Sequence, residues 1–272
     1  MTFNIFGIPM VGPDICGFMG NTTEELCSRW YQASTLYPFS RNHNANDAIP
    51  QEPYAMGPTL LTTARITLQL RYALLKHMYA LFLRNEGLGT VFRPLFFEFP
   101  TDQTFFDHSK NFVNSEYLVG DSLVFAPVLD EGQDTVEVYL PQGTWFDIVK
   151  DDLVQNSSES NPQPFQYPAP LNFTVPFFMR GGHILGWQDT TNVSSTADLN
   201  DVYTLMVSLQ EQNYSVFYAN GPLLGIHDMS DLSIVSKCLN GKNCVYNVQS
   251  VFTFYNNNYV IGVTFNLPNS GL

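Results

Sequence analysis

Asp14, Arg41 and His43 are the side chains whose types and spacing point to chemistry. Asp14 follows an apolar run at residues 7–11 and stands just before Cys16, Gly17 and Phe18. Arg41 and His43 lie in Arg41-Asn42-His43-Asn44, directly after a second short run at residues 36–40. A carboxylate, a guanidinium and an imidazole delivered by two neighbouring runs would make the wall of a sugar pocket. Arg41 is able to pair with Asp14 and hold its carboxylate ionised. An Asp–Arg pair that only fastens a loop is the competing description, of equal weight for Arg41 and of less for Asp14. Phe18 reads as an apolar wall or as an ordinary core phenylalanine, and His43 as a ligand-facing ring or as a loop histidine bonded to backbone.

The elements that must position these groups are a strand at residues 7–11, a helix at residues 23–36 and a strand at residues 36–40. Thr22 and Glu25 spell a capping box, and Leu26, Trp30 and Ala33 recur at helical spacing. Pro38 ends the helix. Strand, helix and strand make one parallel unit, and in a (β/α)8 barrel functional residues sit at the carboxyl ends of such strands. Residues 58–85 then read as a long helix with a core stripe of Leu61, Ala64, Leu68, Tyr72, Leu75, Tyr79 and Phe82. His77 beside that stripe is expected to be a surface or satisfied histidine rather than a ligand.

From Val91 the pattern turns to short alternating strands, at residues 91–99, 122–129, 135–140, 144–148, 172–179 and 183–187, with a polar loop or linker at residues 154–170. After another polar stretch, strands at residues 202–209, 214–218, 233–235, 245–255 and 259–265 imply a further β-domain. The expected fold class is α+β and multidomain: residues 1–90 the last two strand–helix units of a TIM barrel, residues 91–188 a proximal antiparallel β-sandwich, and residues 189–272 a distal one. Two strands cannot close a barrel, so unpaired edges and apolar helix faces would need cover from another chain.

The runs PDICGF, GNTTEELC and PFSRNHN, at residues 13–44, resemble glycoside hydrolase family 31, the retaining α-glucosidases. The resemblance continues in order through LRYALLKHMYALF, RPLFFEFPTD, GDSLVFAPVL, YLPQGTWFD and VPFFMRGGHI, and fades beyond about Leu185. There the family usually shows Tyr-x-Asp-Asp-Gly and this chain has FYANGP at residues 217–222. The resemblance implies that Asp14 and His43 line the subsite of the cleaved sugar, with Phe18 beside that subsite or the next. It also implies what is missing. Retaining hydrolysis needs two carboxylates about 5 Å apart, and the family's nucleophile and acid/base blocks do not occur here. The expectation is therefore the C-terminal portion of an α-glucosidase acting on maltose-, starch- or glycogen-type α-glucosides, inactive without the missing N-terminal barrel portion. The alternative is a non-catalytic carbohydrate-binding or assembly module derived from the family.

A net charge of −13 with twelve Lys and Arg argues against nucleic acid as a partner. Cys16 with Cys27, and Cys238 with Cys244 around Asn240-Gly241, form two local pairs that favour disulfides over free thiols. Neither has the further soft ligands that zinc needs, so no metal or other cofactor is expected. N-x-S/T sequons occur at Asn21, Asn156, Asn172, Asn192 and Asn213, of which Asn21, at a helix start beside a proposed disulfide, is the strong glycan candidate. No signal peptide is visible in residues 1–12, and no run is long enough to span a membrane. Disulfides and sequons without a leader suggest truncation of a longer secreted or lysosomal precursor.

Overall fold

The computed structural model describes residues 1–84, 89–107, 109–150, 152–155, 161–173, 175–199, 202–208, 215–222, 233–238, 249–253 and 262–266. Five helices are defined: α1 (Thr2–Ile5), α2 (Glu24–Ala33), α3 (Pro53–Met56), α4 (Pro58–Arg84) and α5 (Phe112–Ser115), with 3₁₀ turns at Leu95–Phe97, Gln103–Phe106 and Thr196–Asp198.

Helix α2 starts one residue later than its sequence suggests. Thr23, not Thr22, is the N-cap, and its side chain accepts from the Leu26 amide at 3.1 Å. That places Leu26 where a capping box needs an acid, so Glu24 and Glu25 are released for other work. Glu24 Oε1 accepts from the Thr59 and Leu60 amides, at 2.9 and 3.2 Å, and so caps the start of α4. Glu25 Oε1 accepts from the Gly132 amide at 2.6 Å.

Helix α4 has the expected length but buries a different face. Leu60, Thr63, Ala64, Thr67, Leu70, Leu74 and Met78 point inward, whereas Leu61, Leu68 and Tyr79 of the expected stripe are exposed. The helix carries two apolar stripes about 100° apart by helical geometry. Threonines can occupy the inner one because their hydroxyls donate to carbonyls one turn back, Thr63 to Thr59 and Thr67 to Thr63, both at 2.9 Å. His77 is not fully satisfied: its Nε2 is buried without a partner, and desolvation lowers its pKa to about 4.

The segments at residues 7–11 and 36–40 are not strands. They run alongside one another, with the Phe39 amide bonded to Val11 O and the Ile15 amide to Arg41 O, and meet in one parallel bridge, Ile15 with Asn42. The parallel sense agrees with a barrel, but the pairing is limited to that one bridge. No closed barrel forms among the described residues.

The next strands are β1 (Phe92–Arg93), β2 (Tyr117–Val119), β3 (Leu123–Phe125), β4 (Thr135–Val138), β5 (Trp145–Asp147), β6 (Asp152–Gln155), β7 (Phe165–Pro168), β8 (Phe177–Arg180) and β9 (Ile184–Trp187). Antiparallel pairing builds a six-stranded sheet in the order β1-β2-β3-β8-β5-β6, and β4 pairs with β7. Successive side chains of this sheet serve different cores. Val119, Leu123, Phe125, Phe146, Phe177 and Met179 pack with Leu70, Leu74 and Met78 of α4. Leu118, Val124, Trp145 and Phe178 pack with Val138, Tyr139, Leu140 and Tyr167 around the β4–β7 pair. Burial on both faces explains why these strands read as continuous apolar runs rather than alternating ones.

Residues 154–170, expected to be a loop or linker, contain the end of β6 and all of β7. Tyr167 anchors β7, its hydroxyl donating to the buried Asp147 carboxylate. Beyond β9, β10 (Val202–Ser208), β11 (Ser215–Pro222) and β12 (Ser233–Cys238) extend a four-stranded antiparallel sheet in the order β12-β11-β10-β9, and β13 (Gln249–Thr253) pairs with β14 (Gly262–Asn266).

Candidate functional site

The loop of residues 12–18 and the run of residues 41–45 lie side by side and carry the polar groups that the sequence singles out. Gly12 lets them approach, since a Cβ there would lie 1.8 Å from Phe39 O. The chain then turns sharply: the Gly17 amide donates to Asp14 O at 3.0 Å, with Cys16 at φ 74° and Gly17 at φ 91°. A left-handed backbone is unfavourable for a cysteine. Cys16 is held there by the disulfide to Cys27 of α2 and by burial. The second expected disulfide cannot be compared, because Cys244 lies outside the described residues.

Asp14 and Arg41 meet as expected. Arg41 Nη2 and Nε both donate to Asp14 Oδ1, at 2.6 and 3.1 Å. Among the described residues nothing bonds Asp14 Oδ2. The pair is accessible, with 51% of the Arg41 side chain and 19% of that of Asp14 exposed. The Arg41 guanidinium lies 5.5 Å from the centre of the Phe39 ring. Phe18 and His43 also come together, their rings stacked at 5.4 Å and 30°. Phe18 is exposed, so the description as core phenylalanine fails. Two pairs thus stand in one surface, an ionic one and an aromatic one.

Three residues that sequence reasoning missed hold this surface in place. Gln51, buried behind it, donates from Nε2 to Asn42 Oδ1 at 2.9 Å and to Ile15 O at 3.2 Å. Asn42 returns a bond from Nδ2 to Gln51 O at 2.9 Å and donates another to Tyr31 Oη at 3.1 Å. Burial, above all, raises the pKa of Tyr31, so its phenol stays protonated. Asn42 sits between Arg41 and His43, and its inward amide forces those two neighbours outward. Arg71 of α4 donates to the carbonyls of Thr35 and Tyr37, at 3.1 and 2.7 Å, and so fixes the segment leading into Arg41.

Helix α2 is tied in turn to the sheet region. Arg29 donates from Nη1 to Ala169 O at 2.7 Å and to Gln32 Oε1 at 2.9 Å, and from Nη2 to Gln133 O. Gln32 Nε2 reaches Phe173 O at 2.7 Å and Pro170 O at 3.1 Å. Asn21 stands just before α2, exposed, with Oδ1 accepting from the Ile49 amide at 3.0 Å. No group of three or more His, Cys, Asp or Glu side chains among the described residues could hold a metal ion. Nor is any helix among them long and apolar enough to cross a membrane.

This surface presents a carboxylate oxygen that can accept hydrogen bonds, an imidazole and an aromatic ring. Residues 1–81 match the glycosyl hydrolases family 31 TIM-barrel domain, and residues 89–185 the glycosyl hydrolase family 31 C-terminal domain. The lysosomal acid alpha-glucosidase of Tetrahymena pyriformis is 37% identical over 91% of this chain and 27% of its own length. The lysosomal alpha-glucosidase of Bos taurus is 39% identical over 85% of this chain and 26% of its own. Among solved structures, the ER glucosidase II complex of catalytic subunit and regulatory-subunit binding domain superposes with a TM-score of 0.65 at 25% identity, over 89% of this chain and 27% of that one. The chain therefore spans about a quarter of the length of these relatives.

Proposed function

The chain belongs to glycoside hydrolase family 31, and on that premise we propose that it forms the C-terminal portion of a retaining α-glucosidase and supplies one side of its sugar pocket. The observation that carries this reading is the joint presentation of the Asp14–Arg41 and Phe18–His43 pairs on one accessible surface. In it, Arg41 orients Asp14 through two hydrogen bonds to Oδ1, leaving Oδ2 to accept from a sugar hydroxyl. His43 bonds a second hydroxyl, and Phe18 covers an apolar face of the same or the next sugar.

Bond cleavage is the work of a nucleophile and an acid/base about 5 Å apart on opposite sides of the glycosidic linkage. Neither of the family's blocks for these groups occurs in this sequence. The remaining barrel units complete the pocket, and the substrate is an α-glucoside or oligosaccharide of the maltose, starch or glycogen type. Residues 1–90 are read as the end of the barrel, 91–188 as the proximal and 189–272 as the distal C-terminal β-sandwich domain. A lysosomal or secreted parent fits the Cys16–Cys27 disulfide and the sequon at the exposed Asn21.

Turnover of a chromogenic α-glucoside tests the reading. The chain alone is expected to give none. Adding the N-terminal part of a family 31 α-glucosidase should give activity that Asp14→Ala or His43→Ala removes. Activity of the isolated chain would sink the division of labour. Sugar binding with no turnover under either condition would favour the non-catalytic module.

A further inference from the structure

We infer that Asn192 carries an N-linked oligosaccharide, a site independent of the sugar pocket and of Asn21. The inference rests on the secreted or lysosomal reading given above. The sequon is Asn192-Val193-Ser194. In the sequence alone it is one of five in an asparagine-rich chain; its place in the fold sets it apart.

Asn192 is the third residue of a hydrogen-bonded turn. The Val193 amide donates to Thr190 O at 3.1 Å, and the Thr191 amide to Asp189 Oδ1 at 2.9 Å. At φ 62° Asn192 holds the left-handed position that asparagine tolerates better than most residues. Its side chain makes no hydrogen bond with any described residue, so Nδ2 is free. Thr191, Asn192 and residues 194–198 are all exposed. The turn lies just after β9, in the connection from β9 to β10 of the four-stranded sheet, where a bulky polar group meets no core. No sequon falls in the exposed apolar stretch from Phe3 to Met10 or on α4, where a glycan would block cover by another chain.

Ser194 fixes when the reaction happens. Its hydroxyl donates to Asp198 Oδ2 at 2.7 Å, and that same oxygen accepts from the Ser194 and Ser195 amides, at 3.0 and 2.8 Å. The sequon hydroxyl is thus occupied once the connection has folded, and transfer precedes that closure. The donor is a lipid pyrophosphate-linked oligosaccharide. A bond forms between Asn192 Nδ2 and the first sugar's C1, the bond from C1 to the pyrophosphate oxygen breaks, and the amide nitrogen gives up one proton as the lipid pyrophosphate leaves.

The 272-residue chain, produced in a eukaryotic secretory host behind a cleavable leader, provides the test. Enzymatic glycan release in 18O-labelled water, followed by peptide mass spectrometry, should leave labelled aspartate at position 192. Asn192→Asp, which keeps a residue tolerant of the left-handed turn, should remove one glycan's shift in gel mobility. Ser194→Thr should retain it. Unlabelled Asn192 in the wild-type chain would overturn the inference. If Asn21 is then labelled and Cys16 is joined to Cys27, the compartment reading survives without it. If both are bare and reduced, the two fall together.

Discussion

Residues 1–84 and residues 91–187 differ in how completely they cover their own apolar surface. In the sheet region, β2, β3 and β5 are buried at every position, and Trp145, Phe125 and Phe178 are fully enclosed. Of the sixteen large hydrophobic residues exposed among the described ones, fourteen lie in the first 84 residues, and only Phe106 and Leu129 lie in the sheet region. Phe3, Ile5, Phe6, Ile8 and Met10 follow one another along one stretch, and Leu61, Leu68 and Tyr79 line the outer stripe of α4. A patch of this kind on a folded protein marks an interaction surface. The sheet region is covered on both faces, one of them by α4; the helical region closes on that side and offers the other.

Truncation of a large side chain should expose that difference most strongly. Trp145→Ala removes a fully buried indole and the bond it donates to Pro141 O at 2.8 Å, and should cost about 3–5 kcal/mol. Phe6→Ser, in the open stretch, should leave the urea midpoint within about 0.5 kcal/mol of wild type and reduce self-association. Equal losses from the two variants would break the comparison.

The same difference governs what the sequence made legible. In residues 91–187, strand positions could be read because both faces are apolar, although β2 at Tyr117–Val119 went unread. β7 was hidden inside a polar stretch, since its buried Tyr167 has exposed Gln166 and Pro168 on either side. In residues 1–84 the length of α4 was readable and its inner face was not. Periodicity picks out the apolar stripe of Leu61, Leu68 and Tyr79, but which stripe a helix buries depends on what packs against it. The pairing of Asp14 with Arg41 was accessible from residue type and spacing, whereas the stacking of Phe18 on His43 was not. Gln51, Asn42, Arg29 and Gln32 were not, because their partners are mostly backbone carbonyls, which no sequence pattern advertises.

The two regions are joined where Arg29 and Gln32 grip carbonyls of the sheet region, so the next largest effect belongs to that seam. Arg29→Met leaves Ala169 O, Gln133 O and Gln32 Oε1 without their donor and should cost about 3 kcal/mol. The loss should appear as faster amide hydrogen exchange in α2 and in residues 132–134 and 169–173. If the cores of β2, β3 and β8 lose protection to the same degree, the two regions unfold as one, and the comparison sharpens into a single cooperative unit.

Glu116 lets pH act on the sheet region. Its side chain is fully buried; Oε1 accepts from the Tyr139 amide at 2.6 Å and Oε2 has no partner. Desolvation raises its pKa well above the ordinary value, the Tyr139 bond opposes this, and the charge of Glu137 adds to it. The folded chain therefore holds a proton that the unfolded chain releases. The resulting stability is complete below the unfolded pKa, near 4.5, and is lost as pH rises toward the folded value. This one group contributes a slope of at most about 1.4 kcal/mol per pH unit. Glu116→Gln should flatten the dependence between mildly acidic and neutral pH, as read from urea midpoints. A variant with the wild-type slope would assign the pH response elsewhere.

The smallest effect on folding is expected at the site itself. The Asp14–Arg41 pair is accessible and screened by water, and pairs of that kind stabilise proteins by about 0–1 kcal/mol. Arg41→Gln should therefore shift the urea midpoint by less than about 1 kcal/mol, whereas the change at Arg29, a buried arginine in the same region, costs several times more. Two arginines of one helical region then separate by burial: one holds the fold, the other stands in the accessible surface. If Arg41→Gln destabilises as much as Arg29→Met, the pair is a structural clamp, and the case for Asp14 as a sugar ligand loses its main support.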